Sequence, residues 1–112
     1  MPLWEKTQNH MYSMNIGLVH FSTFNFDLFK DNKNLQAGML KWLEADLKKA
    51  NENRDKWPWV VVINHRPLYC SNVAQYSTDC VSNWKTFSAI DDLLYKYKVD
   101  LYINGHSHSY ER

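Results

Sequence analysis

The sequence predicts an α/β fold built on a pair of neighbouring parallel strands. Two short apolar runs, Trp59–Asn64 and Val99–Ile103, fit strands that are buried on both faces. A segment with helical periodicity, Thr86–Tyr97, lies between them and turns an apolar side toward the core. The order strand, helix, strand predicts that the two strands are parallel and joined by a right-handed crossover.

The elements nearer the N-terminus predict a hairpin followed by a helix. Tyr12–Ile16 and Leu18–Phe24 flank Gly17 and have the composition of two short strands. Asp27–Asn34 is polar and rich in residues that break regular structure, so we expect a loop there. Leu35–Asn53 is predicted to be a helix that docks on the sheet. Its apolar residues recur at helical spacing: Leu35, Met39, Leu40, Leu43 and Leu47.

Composition and charge exclude several classes of protein. Hydrophobic residues make up 45% of the 112 residues and aromatic residues 15%, which is typical of a packed core rather than of disorder. The 13 basic and 12 acidic side chains leave a formal charge of +1 without a basic stripe, so no nucleic-acid partner is predicted. The longest apolar run, Trp57–Ile63, is too short to span a membrane. No signal-peptide pattern is visible at the N-terminus.

The two cysteines fall in one long predicted loop, His65–Trp84, and loops of this length are usually functional. Cys70 and Cys80 fit a disulfide in an oxidising compartment, or two free thiols in a reducing one. A structural zinc site that joins them to His106 and His108 is conceivable, but the spacing matches no zinc-finger pattern.

Three histidines follow the two predicted parallel strands. His65 comes directly after the first strand, and His106 and His108 come just after the second. Because the carboxyl ends of parallel strands meet at one edge of a sheet, we expect the three imidazoles to converge there. Gly105 is expected to provide the sharp turn. Neutral imidazole binds zinc, iron and manganese, so the sequence predicts a metal site. Surface histidines without a ligand remain the alternative.

Other candidate residues carry less weight. His10 is predicted to be a solvated loop residue and His20 a packed or half-exposed strand residue. Ser107 lies in a segment that resembles the nucleophile elbow Gly-x-Ser-x-Gly, but the final glycine is absent. A nucleophilic serine is therefore not predicted.

The two histidine segments resemble the last two motifs of the purple acid phosphatases, a branch of the calcineurin-like metallophosphoesterases. The first segment is Trp59–Asn72. The second is Asp100–Arg112, in which Gly-His-x-His is followed by Tyr-Glu-Arg. Tyr12–Phe21 resembles the strand pair that precedes these motifs, so the resemblance spans essentially the whole chain. It implies a partial metallophosphoesterase sandwich, with residues 1–112 as the C-terminal portion of the domain, truncated at both ends.

The resemblance also implies an activity and a cofactor. It implies an acid phosphatase, which hydrolyses phosphate monoesters by in-line attack of a metal-bound hydroxide. His65 and His106 would bind Zn(II), Mn(II) or Fe(II), and His108 would bind Fe(III). Tyr69 and Asn72 would border the substrate pocket. The resemblance implies a secreted or lysosomal protein.

Several parts of the family pattern are missing from this sequence. It contains no Gly-Asp dipeptide, Asn9-His10 lacks the flanking Gly and Glu of the third motif, and Asn64 stands where Gly is more usual. Three neutral imidazoles do not compensate the charge of two ions, which is about +4 or +5. We therefore expect weak single-metal binding and little or no phosphatase activity. The alternatives are a non-catalytic metal- or protein-binding α/β fragment, and a metal-independent module in which the histidines are incidental.

Overall fold

The computed structural model of the chain describes residues 10–71 and 84–112 and shows a mixed α/β architecture. Its elements in chain order are β1 (Met11–Ile16), β2 (Val19–Phe24), α1 (Phe26–Asp31), α2 (Lys33–Asn51), β3 (Trp59–Ile63), α3 (Trp84–Lys96) and β4 (Leu101–Ile103). The strands form one four-stranded sheet in the order β1-β2-β3-β4. β1 is antiparallel to β2, and the remaining pairs are parallel. No helix of the described residues is long and apolar enough to cross a membrane.

The predicted hairpin, both long helices and the parallel pair are confirmed. Gly17, with a φ of 57°, occupies the turn between β1 and β2 in the left-handed region that glycine tolerates best. In the parallel pair, Val61 is opposite Leu101 and Ile63 is opposite Ile103. The sheet also contains a parallel pairing of β2 with β3, which was not predicted.

The predicted loop Asp27–Asn34 is wrong, because this segment contains α1 and the start of α2. The Asn25 side chain caps α1 by accepting a hydrogen bond of 2.9 Å from the Leu28 amide. Phe26 and Phe29 place two buried rings on the inner side of α1. The cap and the buried aromatic side chains therefore outweigh the polar composition of the segment.

The hydrophobic core lies between the helices and one face of the sheet. The Phe26 ring of α1 meets the Phe87 ring of α3 edge to face, with 4.6 Å between centroids. The largest buried side chains, all of them fully enclosed, come from β3 and the three helices: Phe26, Phe29, Leu43, Leu47, Val60, Val62, Phe87 and Ile90. This packing fixes the position of β3, and β3 leads directly into the first histidine motif.

The opposite face of the sheet is apolar and open among the described residues. Seven large apolar side chains on it are each at least 40% exposed: Tyr12, Met14, Ile16, Trp59, Ile63, Leu101 and Ile103. Apolar faces of this extent are uncommon on soluble monomers. The sheet is therefore suited to a second layer on this side.

A partly buried polar network centred on His20 joins the hairpin to α2. His20, which is 5% exposed, contacts the Asp46 carboxylate through Nε2 at 3.0 Å and the Asn15 side-chain oxygen through Nδ1 at 2.7 Å. The Ser13 hydroxyl donates a hydrogen bond of 2.5 Å to the other Asp46 oxygen. Burial raises the pKa of Asp46, but the hydrogen bonds from His20 and Ser13 outweigh it and the net pKa is lowered. The buried Ser22 hydroxyl also lowers this pKa, although its geometry falls short of a hydrogen bond.

The lowered pKa of Asp46 predicts a stabilisation that disappears in acid. Since the folded-state pKa of Asp46 lies below the ordinary value of 3.8, the charged carboxylate stabilises the fold at pH values above 3.8. This stabilisation is lost as pH falls through the folded-state pKa. We expect Asp46→Asn to lower the free energy of unfolding by about 2 kcal/mol near neutral pH, and the difference to shrink below pH 3.8.

Urea unfolding at a series of pH values measures this difference. Asp55→Asn, at an exposed position, is the control and should follow the wild-type curve. An Asp46→Asn deficit that stays constant through the acid range would contradict the assignment.

Candidate metal centre

His65 and His106 meet at the carboxyl edge of the parallel pair. His65 lies two residues beyond the end of β3, and His106 lies three residues beyond the end of β4. Backbone pairing continues past the strands: the Asn64 amide donates to the Ile103 carbonyl at 2.9 Å, and the Gly105 amide donates to the His65 carbonyl at 3.0 Å. The register of the sheet therefore holds the two histidines opposite each other.

The two imidazole rings are in direct contact. Nε2 of His65 lies 3.1 Å from Nδ1 of His106, and the rings are nearly perpendicular with 5.0 Å between centroids. His65 is exposed and His106 is half-buried. Two imidazole nitrogens that face each other at the surface can bind an ion together.

The sharp turn in this motif occurs at His106 and not at Gly105. His106 has a φ of 67°, in the left-handed region, whereas Gly105 does not. A Cβ atom added at Gly105 would lie 3.8 Å from the His65 carbonyl oxygen, which is an ordinary contact. The expectation that Gly105 provides the turn is therefore wrong. Left-handed backbone costs a residue other than glycine about 1–2 kcal/mol, and such strain concentrates at functional sites.

His108 does not join the other two histidines around one ion position. Its side chain is exposed. In the part of the chain that the structure describes, no group of three or more His, Cys, Asp or Glu side chains could hold a metal ion. The structure therefore brings together two of the three histidines that the sequence singled out. The resemblance assigned His108 to a different ion from the other pair.

An arginine that sequence reasoning missed lies against this pair. Nη1 of Arg66 is 2.9 Å from Nε2 of His106, and Nε of Arg66 donates a hydrogen bond of 2.6 Å to the Asp27 carboxylate. The Arg66 side chain is only 14% exposed. Its position directly after His65 was the available signal, but the partner in α1 is 39 residues away along the chain.

Two further contacts fasten the loop after His65 to the end of the chain. The Tyr102 hydroxyl donates a hydrogen bond of 2.6 Å to the Arg66 carbonyl. Burial raises the pKa of Tyr102, so this hydroxyl keeps its proton. The Glu111 carboxylate accepts from the Ser71 amide at 2.8 Å, and its hydrogen bonds with Ser71 lower the Glu111 pKa. Glu111 belongs to the Tyr-Glu-Arg segment, for which the sequence alone indicated no role.

Asn64 is buried beside His65 and is only partly satisfied. Its side-chain oxygen accepts a hydrogen bond of 2.9 Å from the His65 amide. Its Nδ2 is buried without a hydrogen-bond partner in the described part of the chain. The Asn64 oxygen thus braces the backbone of His65 from the strand side.

The structure describes only one of the two predicted pocket residues. Tyr69 lines a cavity of about 710 Å³ beside β4, together with Asn104, Ser107 and Glu111. A hydrogen bond with Asp91 is the main reason why the pKa of Tyr69 rises to about 12, so the phenol is neutral at physiological pH. Asn72 lies outside the described residues.

The structure describes one of the two cysteines of the predicted disulfide. Cys70 is bonded in a disulfide. Cys80 lies outside the described residues. The bonded state of Cys70 agrees with the disulfide and not with the alternative of free thiols.

Comparison with known proteins places the chain among phosphoesterases. A family model described as calcineurin-like phosphoesterase matches residues 1–110. Acid phosphatase type 7 of Homo sapiens is 37% identical over 90% of this chain and 25% of its own length. Purple acid phosphatase 21 of Arabidopsis thaliana is 45% identical over 63% of this chain and 15% of its own length. An acid phosphatase of Aspergillus ficuum is 44% identical over 63% of this chain and 10% of its own length.

The chain thus spans no more than about a quarter of the length of these relatives, 25% for the human protein. No solved structure matches the chain. The resemblance stated from the two histidine motifs is confirmed by the family match and by these relatives.

The contact between Tyr102 and Arg66 predicts a measurable role for one hydroxyl group. Tyr102→Phe removes the donor and leaves the Arg66 carbonyl without this bond, so we expect a loss of about 1 kcal/mol in the free energy of unfolding. Tyr110→Phe is the matched control, because Tyr110 is 89% exposed. Chemical denaturation compares the three proteins. Equal stabilities for the two variants would show that the hydroxyl does not fasten the loop.

Proposed function

Because the chain belongs to the calcineurin-like phosphoesterase family, we propose that it is part of a metal-dependent phosphate monoester hydrolase, an acid phosphatase. The family implies a dinuclear metal centre. In this proposal His65 and His106 hold one divalent ion, which is Zn(II), Mn(II) or Fe(II). His108 is a ligand of the second ion, Fe(III).

The contact between His65 and His106 is the observation that carries the proposal. Two nitrogens bound to one tetrahedral zinc ion lie about 3.3 Å apart, given Zn–N distances of about 2.0–2.1 Å. The 3.1 Å between Nε2 of His65 and Nδ1 of His106 is close to this spacing. The pair therefore fits one ion without a change in the sheet.

The chemistry divides between the ions and the chain. When bound, the ions lower the pKa of a water molecule and neutralise charge on the phosphoryl oxygens. The residues of this chain hold and orient the ligands: the β3–β4 register sets the spacing of the two imidazoles, and Tyr102 and Glu111 fasten the loop after His65. Tyr69, at the rim of the cavity, is a candidate contact for the alcohol portion of the substrate.

The position of this chain within a larger fold and its location in the cell are part of the same proposal. Residues 1–112 correspond to the C-terminal portion of the phosphoesterase domain, and the open apolar face of the sheet suits the second layer of a sandwich. The bonded state of Cys70 fits a secreted or lysosomal protein.

The ligand set also supports a second candidate function, a non-catalytic metal-binding fragment. The described residues offer two converging imidazoles and no carboxylate that completes a group of three. High turnover by this chain would exclude the second candidate. We expect the 112-residue chain to hydrolyse p-nitrophenyl phosphate only at trace rates with added Zn(II) or Fe(III), because uncompensated positive charge opposes a second ion. Turnover comparable with that of an intact acid phosphatase would contradict the non-catalytic candidate and the expected inactivity.

Substitution of single histidines tests the metal site. We expect His65→Ala and His106→Ala each to weaken Zn(II) binding by at least about tenfold, because each removes one ligand of the first ion. His108→Ala should leave this first binding event unchanged. Isothermal titration with Zn(II) measures the affinities, and His10→Ala provides a control at a histidine outside both motifs.

Equal Zn(II) affinities for wild type, His65→Ala and His106→Ala would contradict the proposed site. They would favour the remaining interpretation, in which the histidines are incidental.

A further inference from the structure

We propose that the open apolar face of the sheet binds a second copy of this chain, so that the sheets of two copies pack face to face. The second copy then supplies the layer that the sheet is suited to accept on this side. The contact is made by side chains of the four strands and involves none of the three histidines of the candidate metal centre.

The pairing of the strands makes this face continuous and almost free of polar groups. Ser13 and His20 point to the helices, where both contact Asp46 of α2, so the alternate residues of β1 and β2 point to the open face. One row of opposed residues crosses all four strands on this face: Met14, Phe21, Val61 and Leu101. The next row is Tyr12, Thr23, Ile63 and Ile103. In the four strands that the structure describes, Thr23 is the only polar side chain on this face, and none is charged.

The accessible apolar area matches what a stable dimer needs. The seven large side chains of this face are between 40% exposed, for Ile63, and 58% exposed, for Ile16. Since a large side chain presents about 200 Å² when fully exposed, the seven together offer roughly 700 Å². Standard specific interfaces bury about 800 Å² on each partner, so this face alone supplies nearly the required area.

The shape of the face allows a self-complementary contact. A hollow of about 320 Å³ opens between β1 and β3, with Tyr12, Met14 and Ile63 among its lining residues. Trp59 is 55% exposed on the same face and lies outside that lining. In a twofold dimer the same patch of both copies meets, so each Trp59 ring enters the hollow of the other copy.

The charge of the chain favours a closed pair. The formal net charge is +1, so two copies repel each other weakly. No charged side chain of the four strands loses its hydration when the faces meet, because none lies on this face. Twofold pairing uses the face of each copy once, and association therefore stops at two chains.

Sedimentation velocity of the 112-residue chain over a series of concentrations, with a chelator present, tests the dimer apart from any metal binding. We expect particles of twice the mass of one chain. Leu101→Lys should raise the dissociation constant at least about a hundredfold, because it places a charge in the apolar contact. Leu35→Lys is the matched control: Leu35 is 42% exposed and Leu101 is 52% exposed, but Leu35 lies on α2, away from the open face. It should dimerise like the wild type.

Trp59→Ala supplies a second variant that introduces no charge. We expect it to raise the dissociation constant at least about tenfold, because buried tryptophans carry much of the energy of an interface. Tyr95→Ala, at a position of α3 that is 88% exposed, is its control and should leave the constant unchanged. Should Leu101→Lys fail to fold, Trp59→Ala and the mass of the wild type still decide.

Three results would overturn the proposal. The first is a wild type that stays monomeric at high concentration, which would assign the face to a linked layer of a longer protein or, if the monomers sediment with phosphatidylcholine vesicles, to a lipid surface. The second is open-ended association beyond two chains. The third is equal dimerisation of Leu101→Lys and Leu35→Lys, which would place the contact elsewhere.

Discussion

The parallel pairing of β3 with β4 is the constraint on which the rest of the site depends. Ile63 and Ile103 are opposite each other, and each is the last residue of its strand. Two more backbone hydrogen bonds continue the pairing as far as Gly105. His65 and His106 consequently leave the sheet side by side. A slip of one residue in the register would turn one of the strands over, and its histidine would leave from the opposite face. The separation of the two imidazoles is thus determined first by the register of the sheet and only then by the conformation of the loops.

The loops add positive charge and backbone strain to this scaffold. His106 adopts left-handed backbone, and this conformation accompanies its ring contact with His65. Arg66 and Asp27 then place an ion pair behind the His106 ring. Two imidazoles supply no negative charge, so a site made of them beside a guanidinium group disfavours a cation unless carboxylates supply that charge. The proposed activity therefore needs metal ligands beyond these two histidines. Among the described residues, no group of three or more His, Cys, Asp or Glu side chains could hold a metal ion.

Much of the scaffold could be predicted from the sequence because its signals are local. The apolar run Val60 to Val62 predicts a buried strand, and the periodicity of residues 35–53 predicts a helix. Both predictions are confirmed. The convergence of His65 with His106 followed from strand order and the rule for parallel sheets, and the structure brings these two rings together. His108 does not join them around one ion position, and its assignment to a second ion remains a prediction.

The parts that escaped prediction depend on contacts distant in sequence or on backbone geometry. α1 was missed because its stability comes from the Asn25 cap and from Phe26, which packs on Phe87 sixty-one residues later. Arg66 was missed because a hydrogen bond to α1 and another to His106 define its role, and neither is visible in a linear pattern. The left-handed turn was assigned to Gly105 on residue type alone, whereas the fold places it at His106.

The central claim is that His65 and His106 bind the same ion because two parallel strands end beside each other. X-ray absorption at the zinc edge of the 112-residue chain, loaded with one equivalent of Zn(II), tests it most directly. The account predicts scattering from two imidazole rings at Zn–N distances of about 2.0–2.1 Å, reduced to one ring in His65→Ala. A spectrum without imidazole scattering, or one that His65→Ala leaves unchanged, would contradict it.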